Sequence, residues 1–145
     1  MNTNILRKIT LSQFDNRLGL EIGLKIHDLA KQRNQQVAIQ VERLNHIIFT
    51  YIDNDLPADK HLWIKRKANV AKHFEESSLS VKHDLINGNM SLKETFALDE
   101  DQYLAKGGSI PIFVENAGMV ATITVSGLSD EEDHFLILEA MKTTF

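Results

Sequence analysis

With 145 residues, 43% of them hydrophobic and 25% charged, the chain has the size of one globular domain, 1–145, able to close a core of its own. A net charge of −4 argues against wrapping nucleic acid or lying on an anionic membrane, and the absence of cysteine excludes a disulfide scaffold, thiolate catalysis and cysteine-based zinc sites. The opening MNTNILRKITLSQF lacks the apolar core of a secretory signal and no uninterrupted span is long enough to cross a bilayer, so the expectation is a soluble cytoplasmic protein without membrane or nucleic-acid partners.

From Ser12 to about Arg33, Phe14, Leu18, Ile22, Ile26 and Leu29 recur at helical spacing, with Ser12 in position to cap the helix. Gly19 and Gly23, four residues apart, clear one strip of that helix for a close neighbour. QQVAIQVERL then alternates, and HIIFTYI is rich in β-formers; the pair reads as a hairpin turned at Asn45, a residue that tolerates positive φ. After Pro57 the chain returns to helix through ADKHLWIKRKANVAKHFEESS. A shorter helical piece around Val81–Ile86 ends at NGN, and another opens with a capping box, Ser91 and Glu94. SIPIFVE and MVATITVSG, joined by NAG, form a second hairpin, and Ser129 with Glu132 caps the last helix. The order α-ββ-α-ββ-α predicts an α+β protein with an antiparallel sheet under helices. Phe135–Met141 is apolar almost all the way round, which predicts that another subunit covers part of it.

Four segments then carry a resemblance: WIxRK at Trp63–Lys67 with FxxSS at Phe74–Ser78, GGxxPI at Gly107–Ile112, and VSGLxxxxDH at Val125–His134. In this order they resemble the UPF0303 family, which is similar to the wider group of HbpS-like haem-degrading proteins, GlcG proteins and the C-terminal domain of PduO-type adenosyltransferases. The resemblance implies a profilin-like fold, with a central antiparallel sheet of about five strands and helices on both faces, in proteins that assemble as homo-oligomers. It also makes haem a possible cofactor. Asp59-Lys60 departs from the Asp-Asn that the family usually shows before the tryptophan.

The candidate ligand-binding residues are Trp63, Arg66, Lys67, Gly107, Gly108 and His134. Lys60–His73 holds Lys60, Lys65, Arg66, Lys67 and Lys72 with no acidic residue, chemistry suited to a carboxylate or phosphate, or equally to a solvated face. Trp63 offers a flat wall for a ligand, although an aromatic at helical spacing more often belongs to a core. Gly107 and Gly108 supply backbone freedom at a strand entry. His134, in the first turn of the last helix, suits a general base, an axial ligand or a structural anchor, and is expected to meet Arg66 in one pocket. No histidine spacing suggests a metal site, and no catalytic residue is assigned. The leading function is a homo-oligomeric binding domain for a small anionic ligand or cofactor; the rivals are a haem-degrading or other cofactor-dependent enzyme and a protein-assembly module.

Overall fold

A computed structural model describes residues 5–142. Its elements, in chain order, are β1 (Ile9–Leu11), α1 (Asn16–Gln32), β2 (Ala38–Arg43), β3 (His46–Ile52), α2 (Lys60–Phe74), α3 (Ser78–Asn87), α4 (Leu92–Phe96), β4 (Ser109–Val114), β5 (Gly118–Ser126) and α5 (Asp130–Lys142). The sheet runs β1-β4-β5-β2-β3. Three of its four pairings are antiparallel, but β1 lies parallel to β4, with Ile9 opposite Ile112, so the sheet is mixed. This β1 is the short fifth strand that the family resemblance implies. It is held at its entry by Ser77, whose N–H donates to Arg7 O and whose hydroxyl donates to Leu6 O.

Strand alternation divides the sheet into two unlike faces. Ile39, Val41, Ile110, Ile112, Ala121, Ile123 and Val125 turn to one side and form the main core with Ile22 and Ile26 of α1 and Leu136, Ile137 and Ala140 of α5. The alternate residues, Ala38, Gln40, Glu42, Ser109, Pro111, Thr122, Thr124 and Ser126, turn to the α2 side. Ser109, Thr122, Thr124 and Ser126 are buried there despite their hydroxyls. Val70 of α2, Val81 and Leu85 of α3 and Leu92 of α4 form a second, smaller cluster.

Several local details differ from the sequence expectation. Asp15, not Ser12, caps α1, accepting a hydrogen bond from Leu18 N at 2.8 Å; Ser12 directly follows β1, and the chain needs three more residues to turn from strand to helix. In the first hairpin Leu44, not Asn45, takes the left-handed conformation, with φ of 44°. The third helix starts at Ser78, earlier than Val81, because Ser77 caps it by accepting from Ser80 N. Ser129 and Glu132 do form a reciprocal capping box, each side chain accepting from the other's backbone N–H at 3.2 Å. The Gly19–Gly23 strip is filled as expected: a Cβ on Gly19 would lie 2.7 Å from Ile48 Cδ1, and one on Gly23 would lie 2.4 Å from the Phe49 ring. The apolar girth of α5 is largely covered within the chain, and Phe135 is its large side chain left exposed, at 37%.

Candidate functional site

Helix α2 carries the cationic segment, and its three relevant side chains part company. Lys67 turns inward. It is 3% exposed, and its Nζ donates to Asp133 Oδ2 at 3.0 Å and to Val125 O at 3.1 Å. Asp133 sits in the first turn of α5 and also accepts from Leu128 N through Oδ1 at 3.0 Å. The pair therefore joins α2, on the hydroxyl face, to α5, on the aliphatic face, around the ends of β4 and β5. Gly108 leaves the gap in which they meet: a Cβ there would lie 3.0 Å from Lys67 Nζ, 3.1 Å from Asp133 Cβ and 2.2 Å from Val125 O, and its φ of 129° is one that side chains rarely adopt. Gly107 is equally confined, since its Cβ would lie 2.2 Å from Asp130 O. Both glycines thus serve the close approach of this segment to α5 and β5.

Burial presses both members of the ion pair toward neutrality. It pushes the Asp133 carboxyl up to about 6 against the opposing pull of the Lys67 ammonium, and it lowers the Lys67 amine despite Asp133. The attraction across 3.0 Å and the Leu128 N–H keep the carboxylate ionised at neutral pH.

One turn away, Trp63 is half-buried and collects cations. Lys60 Nζ lies 5.0 Å, Arg66 Cζ 5.6 Å and Lys106 Nζ 5.7 Å from the centre of its ring system. Arg66 Nη2 donates to Glu100 O at 2.7 Å, and the neighbouring N–H of Leu104 donates to Arg66 O at 3.2 Å, which fixes the 100–106 segment beside the helix. The Arg66 Nε is buried without a partner. No carboxylate pairs with any of the three cations among the described residues. Lys60, which stands where the family usually shows asparagine, is itself one of them. The sequence reading missed Lys106, although its place directly before Gly107-Gly108 was a usable signal, and it missed Asp133 as the partner of Lys67.

His134 stands apart. Its side chain is fully buried, both ring nitrogens lack hydrogen-bond partners, and its ring meets Phe135 edge-on at 5.1 Å. Burial, with a smaller contribution from His83, lowers its imidazole to about 4, so it is neutral at physiological pH. The structure gathers Trp63 and Arg66 on one shelf and Lys67 and Gly108 just behind it. No hydrogen bond or ring contact joins His134 to Arg66 among the described residues. Among the described residues no group of three or more His, Cys, Asp or Glu side chains is arranged to hold a metal ion, and no helix is long and apolar enough to cross a membrane.

These features define an α+β protein whose five-stranded sheet has one aliphatic and one hydroxyl-bearing face, with a cationic aromatic shelf at the end of the latter. The chain belongs to the HbpS-like family: the model of the family described as "Haem degrading protein HbpS-like" matches residues 14–142. It is 34% identical over 134 residues to a UPF0303 protein of Paraburkholderia phytofirmans, covering 92% of this chain and 81% of that one. Among solved structures it is similar to the Ybr137w protein, with a TM-score of 0.84, 28% identity, and 92% and 80% of the two chains covered. It shares the fold of PduOC, solved as a haem complex, with a TM-score of 0.73, 16% identity, and 91% and 94% covered.

Proposed function

We propose that this protein is a cytoplasmic, homo-oligomeric binding domain that holds a small anionic ligand with a flat face on the Trp63 shelf. The observation that carries the reading is the gathering of Lys60, Arg66 and Lys106 around one indole, none of them in an ion pair with a carboxylate among the described residues. Three like charges repel, so an anion seated among them relieves that cost and accepts charge-assisted hydrogen bonds from their exposed N–H groups. The indole offers a flat wall, and the cations that lie over it suit carboxylates projecting from a planar ring. Trp63 and Arg66 are half-buried and Lys106 is exposed, so the shelf is open to solvent and the ligand need not be engulfed.

Haem fits this arrangement only in part. The shelf offers its carboxylates three cations and its ring an indole. The imidazole of His134 is sealed beneath α5 and offers the iron no axial bond in this conformation. The haem-degrading reading therefore ranks below ligand binding, and added hemin should bind weakly, without a sharp Soret band that one His→Ala substitution abolishes.

The chain contains a single tryptophan, so its fluorescence reports the shelf directly. Titration with small aromatic carboxylates such as 2-naphthoate should give saturable quenching of Trp63. Loss of one charge-assisted hydrogen bond of about 1.5–3 kcal/mol predicts affinity about 10- to 150-fold weaker in Arg66→Ala. Lys106→Ala, on an exposed side chain, should weaken binding with little change in melting temperature. Quenching that fails to saturate, or that is unchanged in both variants, rejects the reading.

A further inference from the structure

On the hydroxyl face of the sheet, cross-strand neighbours form rows. In one row Ser109 and Thr124 face each other, and their hydroxyls hydrogen-bond at 2.9 Å. In the next row the order is Pro111, Thr122, Glu42. Proline gives Thr122 no hydroxyl to pair with, and the Glu42 carboxylate is engaged by Lys72 Nζ at 2.7 Å. The Thr122 hydroxyl is thus left without a partner, although the residue is only 1% exposed. Thr122 also lines a cavity of about 100 Å³, whose other walls are Glu42, Leu44, Lys72, Met119, Val120 and Ala121.

We propose that this cavity, between the C-terminal half of α2 and strands β2 and β5, is a second binding site, for a short neutral molecule with one hydrogen-bonding head and a compact apolar tail. The Thr122 hydroxyl, sealed from solvent in this rotamer, turns into the cavity about χ1 to meet the head, to which it can both donate and accept, beside the Lys72–Glu42 pair. A carboxylate head is disfavoured because Glu42 forms part of the wall and Lys72 already balances it; an ammonium head meets Lys72. The tail lies against Leu44, Met119 and Val120, and the volume, roughly three times the share of one water in the liquid, admits a branched alcohol or amide of three to five carbons. Lys72 lies nine residues along α2 from Trp63, or roughly 14 Å at the helical rise, so this site does not depend on the shelf.

The test is an amide-detected NMR titration of the full chain with isobutyramide and, in parallel, isobutyrate. Saturable shifts confined to residues 42–44, 72 and 119–122 are expected with isobutyramide, at millimolar concentration. Thr122→Val keeps the shape and removes the hydroxyl, and should weaken binding at least fivefold; Thr122→Ser, which restores the hydroxyl, should recover part of it. Absence of saturable shifts in the wild type would mean that only water fills the cavity, and would overturn the proposal. Equal affinity in Thr122→Val, or tighter binding of isobutyrate than of isobutyramide, would overturn it as well.

Discussion

One face of the sheet is built from Ile39, Val41, Ile110, Ile112, Ile123 and Val125; the other, one residue along each strand, from Ser109, Thr122, Thr124 and Ser126. Both are buried, but they hold the molecule together differently. The aliphatic face gains by removing apolar area from water, a non-directional contribution that tolerates reshuffling of similar volumes. The hydroxyl face gains little from burial, and each polar group there must find a partner or leave a cost behind. The proposed ligand chemistry lies entirely on the second side, where unmet hydrogen-bonding capacity remains. A layer that is already satisfied by oil-like packing has nothing to offer a polar ligand.

The sharpest way to break this comparison is at the ion pair that joins the two sides. Asp133→Ala leaves the Lys67 ammonium buried without its counter-charge and should cost about 3–5 kcal/mol, measured by urea unfolding, with Lys67→Met/Asp133→Leu recovering much of it. A loss under 1 kcal/mol for Asp133→Ala would show that Lys67 reaches water easily.

The next effect is in pH. Asp133 has a folded value of about 6, above the usual carboxylate value near 4, so between those limits the folded state holds a proton that the unfolded chain has lost, and stability falls as pH rises. His134, lowered to about 4, does the opposite: over about pH 4 to 6.5 the unfolded chain holds the extra proton, and stability rises with pH. The two neighbours offset each other. Replacing the imidazole, as in His134→Leu, should expose the Asp133 trend, so that stability relative to wild type declines by up to about 1.4 kcal/mol per pH unit across pH 4.5–6. Parallel pH profiles for the two proteins would refute the opposed titrations.

The smallest effect concerns the Ser109–Thr124 hydroxyl pair. Ser109→Ala and Thr124→Val should each cost about 1–2 kcal/mol by stranding the other hydroxyl, while the double variant costs less than their sum. Strict additivity in that cycle would mean that the hydroxyl face behaves like the aliphatic one.

Much of this architecture was legible in the sequence, because TITVS and SIPIF alternate aliphatic with small or hydroxyl residues at the period of a strand. The hairpins, the Ser129–Glu132 box and the crowded Gly19–Gly23 strip follow from local chemistry. The parallel β1–β4 pairing was not legible, since three residues carry no directional signal and their partner lies about a hundred positions away. At the site, the residue types at 63, 66 and 67 pointed to cations beside an aromatic. Helical geometry then sent Arg66 to the shelf and Lys67 into the interior, a division that depends on which side of α2 meets the sheet. The isolation of His134 was equally hidden, because adjacent positions on a helix point about 100° apart and only Asp133 turns toward Lys67.

The contact between Gly23 and Phe49 bears on how this chain can drift over generations. With the Phe49 ring 2.4 Å from the place a Cβ would occupy, no side chain can be admitted at 23 while the phenyl group stays where it is. Alanine or serine at 23 becomes acceptable once position 49 carries a slimmer group such as valine, and the phenyl group is retained only against glycine. Related chains should therefore exchange Gly–Phe for Ala–Val or Ser–Val as a unit, and a laboratory selection begun from Gly23→Ala should recover its suppressors first at position 49.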